Sequence, residues 1–292
     1  MAEAAIRIHR TAGAAGRDRW LACGAWISAI LVAAVFVWLL SDLLRQGLGE
    51  LSWSFLSGPV LDAGRDGGIG PIIVSSLLIL GVCLAAVIPL GLAAAIWLAE
   101  YTRREDHAGA TVRRSLDVLA GVPSIVFGLF GNAFFCVFLG MGYSIAAGGL
   151  TLACMVLPLF IRATEQGLAA VPDSYRAAGA AAGLRRHTLL RVILLPAAMP
   201  GMVVGLVLGI GRALAETAAL LFTSGYVTRL PDSLGDSGRA LSIHIYDLSM
   251  NVSGSLDQAF STALVLISLL LVINLAAGLV GRRLQQRALA VQ

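Results

Sequence analysis

Arg212 and Glu216 stand four residues apart inside a run, Ala197–Phe222, that is otherwise apolar. An ionised side chain at the centre of a bilayer costs from ~2.5 to more than ~10 kcal/mol, so a pair of them there needs a partner and a purpose. The chemistry open to them is anion handling. A guanidinium presents a planar fork of N–H donors that matches the oxygens of phosphate or sulfate. A carboxylate one helical turn away can hold that fork and partly neutralise it, so that a passing anion is not trapped. Two readings follow: an ion pair that locks two helices together, or a lining for a translocation path. The second is taken as the working expectation, because intramembrane charges mark such paths.

The neighbours of the pair support it. At about 100° per residue, Ala198, Gly201, Gly205, Gly209, Arg212, Glu216, Ala219 and Thr223 fall within an arc of about 80°. Every Leu, Val, Ile, Met and Phe of the run lies outside that arc. Gly201, Gly205 and Gly209 form a doubled GxxxG, expected to act as a helix-packing seam. Arg212, Glu216, Thr217 and Thr223 are the expected residues of the translocation path.

The elements that must hold these residues are membrane helices. The 292 residues are 58% hydrophobic and 13% charged, with a mean hydropathy of +0.85, where a soluble domain carries about 25% charged residues. Six apolar blocks suit a hydrocarbon core that takes roughly 20 helical residues to cross: Trp20–Leu40, Ile72–Ala99, Val118–Gly140, Ser144–Ile161, Ala197–Phe222 and Phe260–Val280. Without water to satisfy the backbone they are expected to be helical. The expected fold is an all-α membrane protein with six transmembrane helices. Its parts are a tail at 1–19, a first helix at 20–40, a transmembrane domain at 72–281 with a surface loop at 171–196, and a tail at 282–292. The first block is too long for a signal-peptide core and lacks a small-x-small cleavage site, so it reads as an uncleaved anchor.

All 21 basic residues are arginine. Sixteen fall on one side of the expected spans, before the first, between the second and third, between the fourth and fifth, and after the sixth. Only Arg45, Arg65, Arg229 and Arg239 fall on the other. The positive-inside rule then places both termini in the cytoplasm. The sequence pI near 9.2 reflects this asymmetry and gives no reason to expect nucleic acid as a partner. Cys23, Cys83, Cys136 and Cys154 lie within spans without metal or redox spacing, and read as free thiols. The four histidines are scattered, so no metal, cofactor or catalytic constellation is expected. A P-loop requires a lysine and this chain has none; if transport is ATP-driven, the motor is another chain.

Between spans four and five runs VPDSYRAAGAAAGLRRHTLLRVILLP, Val171–Pro196. Pro172 suits a first helical turn, Asp173 its positive end, and Gly183 its C-terminal stop. A second amphipathic piece, Leu184–Leu195, is expected to end at Pro196. Two short helices at an angle would result, fit either for a lipid surface or for docking a soluble protein. Here Tyr175 and Arg176, then Ala177-Ala178-Gly179, Gly183, Ile193 and Leu195-Pro196 resemble the EAA loop of binding-protein-dependent ABC importer permeases. Ala177 stands where that family usually has Glu, and Gly179 where it often has Ala. The resemblance implies a type I importer permease whose loop is the coupling element resting on a cytoplasmic ATPase.

Further segments narrow it. Gly67–Leu80, Pro89–Arg104, Leu119–Gly131 and RALAETAALLFTSG (Arg212–Gly225) resemble the PstA-type permeases of phosphate importers. Those commonly read Arg-Ala-x-Gly-Glu-Thr-Ala-Pro-Leu in the last segment; this chain has Ala215 for the glycine and Ala219 for the proline. The resemblance covers about Gly67–Gly281. It implies that Arg212 and Glu216 matter for phosphate passage in the inner membrane of a bacterium. It also implies a distinct sister permease, two ATPase copies and an extracytoplasmic phosphate-binding protein, for which the loop Val227–Gln258 is a plausible contact. The alternatives are a permease for sulfate, molybdate or phosphonate, or a secondary anion transporter or channel. The last would need the inverted repeats and paired broken helices common in that class, and no internal repeat is evident.

Overall fold

The computed structural model describes residues 12–102 and 106–290. Arg7, Arg10, Arg103, Arg104 and His9 of the sequence argument lie outside them. Five continuous helical segments are long and apolar enough to cross a membrane: Trp20–Gly47, Gly70–Tyr101, Ile145–Ala169, Arg186–Ala215 and Leu256–Arg283. A sixth forms if the bent pair His107–Ala120 and Ser124–Phe138 is counted as one.

The first span belongs to α1 (Ala12–Gly47), which starts within the expected tail. A short helix α2 (Trp53–Ser57) and a two-residue hairpin, β1 (Val60–Leu61) against β2 (Asp66–Gly67), lead into α3 (Gly70–Ile96). Ser52 caps α2 by accepting from Phe55 N at 3.1 Å. α3 passes through Pro89 and ends in a π-helical turn, Trp97–Tyr101.

The third apolar block is not one straight helix. α4 (His107–Ala120) and α5 (Ser124–Gly131) meet at 101° across Gly121-Val122-Pro123. Proline disfavours helical geometry at the residue before it and supplies no N–H to the preceding turn, so Pro123 starts a new helix. Only Ser124–Phe138, with a π-helical second half from Asn132, runs on through the apolar part of the block.

α6 (Ile145–Ala169) is the hub of the bundle, packed against α3 on one side and against the fifth span on another. Ser144 caps it by accepting from Ala147 N at 3.1 Å. It runs two turns past the expected end at Ile161, because Arg162 and Glu165 are paired with other elements. The main core joins Ile79, Cys83 and Val87 of α3 to Leu152, Val156 and Phe160 of α6. Lipid tails are as apolar as leucine, so close van der Waals packing carries helix association here. That explains the small residues along α6: a Cβ on Gly149 would lie 2.6 Å from Val82 Cβ, and one on Gly148 would lie 2.8 Å from Ser224 Cβ.

After α7 (Asp173–Ala181) and α8 (Arg186–Leu189), a π-helical turn, Leu190–Leu194, joins α9 (Leu195–Ala215). The expected second loop helix is therefore corrected: it does not stop at Pro196 but continues into the fifth span. A widened π turn ahead of Pro196 relieves the clash that a proline makes with the carbonyl of the preceding turn.

α10 (Ala218–Leu221), α11 (Leu241–Met250) and α12 (Leu256–Ala290) complete the chain. α12 lies against α9, α11 and α1. Its contact with α1 is tied where Ser261 Oγ donates to Gly47 O at 3.0 Å.

Candidate functional site

The glycine seam of α9 faces α6. A Cβ on Gly201 would lie 2.6 Å from Gly167 Cα, one on Gly205 2.8 Å from Ala163 Cβ, and one on Gly209 2.6 Å from Val156 Cγ1. The two backbones therefore meet directly at Gly201 and Gly167, while at Gly205 and Gly209 the side chains of Ala163 and Val156 pack onto the bare backbone of α9.

The rest of the stripe departs from the ideal helix. α9 ends at Ala215, and Glu216 is extended at φ −74°, ψ 126°. The single span expected through Phe222 is thus broken beside the charged pair, and Glu216, Ala219 and Thr223 leave the face that the wheel assigned them. Non-helical backbone at membrane depth needs partners for its freed polar groups, and here it has them. Glu216 Oε1 accepts from Ala219 N at 3.0 Å, and Ser242 Oγ of α11 donates to Glu216 O at 2.6 Å. Asn132 Nδ2 donates to Phe222 O at 2.7 Å. A Cβ on Gly128 would lie 2.8 Å from Ala219 Cα, so α5 sits directly on α10.

Ala219 acquires a role from this geometry. Its N–H is what the Glu216 carboxylate caps; a proline at this position, as in the pattern that the segment resembles, has no N–H to offer.

Arg212 is exposed and shares its face with Val204, Leu208 and Ala215. Among the described residues no carboxylate lies within ion-pair distance of it. The expected Arg212–Glu216 couple is therefore not formed in this structure: the break directs the carboxylate to α10. Thr217 is half-buried at the start of α10. Thr223 is fully enclosed and its hydroxyl donates to Ala219 O at 2.9 Å, so the structure does not bring it to the open face.

At the arginine-rich end, α7 starts after Pro172 and is stopped by Gly183, whose φ of +71° suits glycine. Tyr175, Ala177 and Ala178 are exposed, whereas Gly179 is buried against Leu189 with its would-be Cβ 2.5 Å from Leu189 Cδ1. Ile193, Leu195 and Pro196 are half-buried at the base of α9. Arg176 turns inward. Its Nη2 donates to Glu100 Oε1 at 2.6 Å and to Leu168 O at 3.0 Å, and its Nη1 to Val171 O at 2.8 Å. It ties α7 to the ends of α3 and α6 and does not form part of the exposed face.

Sequence reading missed a second network beside it. Arg113 of α4 meets Glu165 of α6 at 2.5 Å and donates to Leu98 O at 2.7 Å. Arg162 bridges Glu165 and Asp117, each at 3.0 Å. Arg113, Arg162 and Glu165 line a cleft of 510 Å³ between α4, α6 and the π-helical turn that ends α3. The available signal was charge of both signs at the ends of adjacent apolar blocks; it could not say which residues pair.

The chain has five spans, or six with the bent pair, a two-helix surface element, and a broken fifth span whose Arg212 has no carboxylate partner among the described residues. A solved bacterial ABC transporter involved in the import of the acidic polysaccharide alginate matches 91% of this chain and 96% of its own, at a TM-score of 0.65 and 13% identity. An inward-facing MetNI methionine ABC transporter structure matches 74% and 94%, at 0.55 and 17%. Both show the fold. Residues 87–289 match the model of the binding-protein-dependent transport system inner membrane component, and the chain belongs to that family. Over 281 residues it is 32% identical to a probable ABC transporter permease protein, YqgI, of Bacillus subtilis, covering 90% of this chain and 95% of that one. Over 259 residues it is 34% identical to the phosphate transport system permease protein PstA 2 of Mycobacterium bovis, covering 87% and 83%. The chain is accordingly a multi-pass inner-membrane protein of a bacterium.

Proposed function

We propose that this chain is the permease subunit of an ATP-driven importer that moves inorganic phosphate across the inner membrane by alternating access. The observation that carries the proposal is Arg212: a guanidinium on the open face of a broken membrane helix, with no carboxylate in reach among the described residues and a glycine-packed helix behind it. An unpaired cation in that setting calls for an anion and for water or protein around it. Phosphate is favoured by the relatives named as phosphate permeases.

The arginine-rich end lies in the cytoplasm by the charge rule. There the exposed face of α7, with Tyr175, Ala177 and Ala178, rests on an ATPase carried by a separate chain, since a lysine-free sequence supplies no P-loop. A second, distinct permease subunit covers the Val204–Leu208–Arg212 face and completes the path. The loop from Val227 to Gln258, α11 included, receives the phosphate-binding protein. ATP binding closes the motor and opens the path outward; hydrolysis and product release return it inward.

The test is reconstitution with these partners and measurement of ATP-dependent uptake of labelled phosphate against labelled sulfate. Phosphate uptake that tenfold excess sulfate does not suppress supports the reading. Uptake on an ion gradient without the ATPase overturns it.

A further inference from the structure

The chain between Glu216 and α11 is a closed excursion. It leaves α10 at Gly225, whose φ of +88° and closeness to Ser237 suit only glycine, and runs over the end of the bundle. It returns with Gly238 N donating to Ser224 O at 3.0 Å. α11 then enters the bundle: Leu241, Ser242, Ile243 and His244 are buried, while Met250 at its far end is 72% exposed. Leu241 N donates to Ser76 Oγ of α3 at 2.8 Å. One side-chain bond joins this helix to the break, from Ser242 Oγ to the carbonyl of Glu216. The outer part of the excursion is secured separately, where Arg239 meets Asp247 at 2.8 Å and donates to Tyr226 O at 3.1 Å.

A carbonyl just past a helix end has no partner within that helix, so the conformation of Glu216 depends on a donor brought from elsewhere. That donor rides on α11. We propose that Ser242 is a positioning residue for transport: its hydroxyl sets the break that orients Arg212 and Glu216, and it transmits to that break any displacement of α11 and of the exposed loop ahead of it. The proposal rests on the reading of Arg212 and Glu216 as path residues. It adds a link between them and whatever protein seats on the 226–240 loop.

The test uses the complete transporter in proteoliposomes, with ATP-dependent phosphate uptake followed over a range of phosphate-loaded binding protein. Ser242→Ala is expected to lower the maximal rate roughly tenfold, the scale on which a residue linking two sites acts. The half-saturating binding-protein concentration should stay within about twofold and the thermal midpoint within about 2 °C. Ser242→Thr, which keeps the hydroxyl, should recover most of the rate. Ser249→Ala, which removes a hydroxyl that bonds only within α11, should change nothing. A wild-type rate in Ser242→Ala overturns the proposal. So does failure of Ser242→Ala to assemble, or loss that threonine does not restore, since either makes the residue a folding requirement. Binding-protein-stimulated ATP hydrolysis, read in the same vesicles, separates this outcome from the substrate assignment. If the wild-type complex hydrolyses ATP but moves no phosphate, the assignment fails, and Ser242 is judged on the stimulation alone.

Discussion

Two groups of charged residues occupy opposite situations in this bundle. At the arginine-rich end, Arg113, Arg162 and Arg176 commit their forks to the carboxylates of Glu165, Asp117 and Glu100, and Arg113 and Arg176 also to backbone carbonyls. On the fifth span, Arg212 has no such counter-ion among the described residues, and Glu216 turns away from it to cap α10. The first group binds α3, α4, α6 and α7 together; its charges are spent on structure. The second leaves a cation available beside a break whose backbone is held by Ser242. Charge alone does not mark a functional site in a membrane protein. A charge left without a partner by the fold is the informative kind.

The contrast can be broken most sharply at Arg212. Arg212→Gln should reduce phosphate uptake roughly 100-fold while assembly and thermal midpoint are kept, because a charge-assisted contact to an oxyanion is lost and no internal pair is disturbed. The reverse pattern is expected at Glu165. Glu165→Gln takes the carboxylate from the half-buried Arg113 and leaves Arg162 with Asp117 alone, and should cost about 3 kcal/mol of stability, read as a lower thermal midpoint.

Smaller effects refine the comparison. His244 is buried beside Arg239 and Asp247, and burial pushes its imidazole down to about 4. It stays neutral in the folded protein while the unfolded chain protonates near 6.5, so stability is complete above that value and falls as the pH drops towards 4. The loss approaches about 3 kcal/mol, and His244→Gln should flatten thermal midpoints measured across that range. Ala219→Pro removes the N–H that Glu216 caps. It should release the carboxylate at a cost of about 1 kcal/mol, the worth of a helix cap, and raise the reactivity of a cysteine placed at Arg212 towards cationic reagents.

Much of this architecture was legible in the sequence. The apolar blocks marked the spans, the GxxxG spacing marked a close-packing face of α9 without naming its partner, and Pro172 and Gly183 bracketed α7. The errors have one physical origin. A helical wheel assumes continuity, and periodicity cannot report where a helix stops when the residues around the stop are themselves good helix formers, as Ala213–Leu221 are. The break at Glu216 is held by a tertiary donor distant in the chain, Ser242, and Asn132 holds the far end of α10 at Phe222 O. Pro123 was a local signal for the 101° bend, and Pro196 misled, because a π turn absorbed it. The pairing of Arg113 with Glu165 likewise depends on which helices become neighbours.

The central claim is that the Arg212 side chain borders a water-accessible anion route. In the assembled transporter with its native cysteines replaced, a cysteine substituted at Arg212 should react with a membrane-impermeant sulfonated thiol reagent. Cycling with ATP and phosphate-loaded binding protein should change the rate. A cysteine inert to that reagent yet labelled readily by a lipid-soluble maleimide would place position 212 against acyl chains and contradict the account.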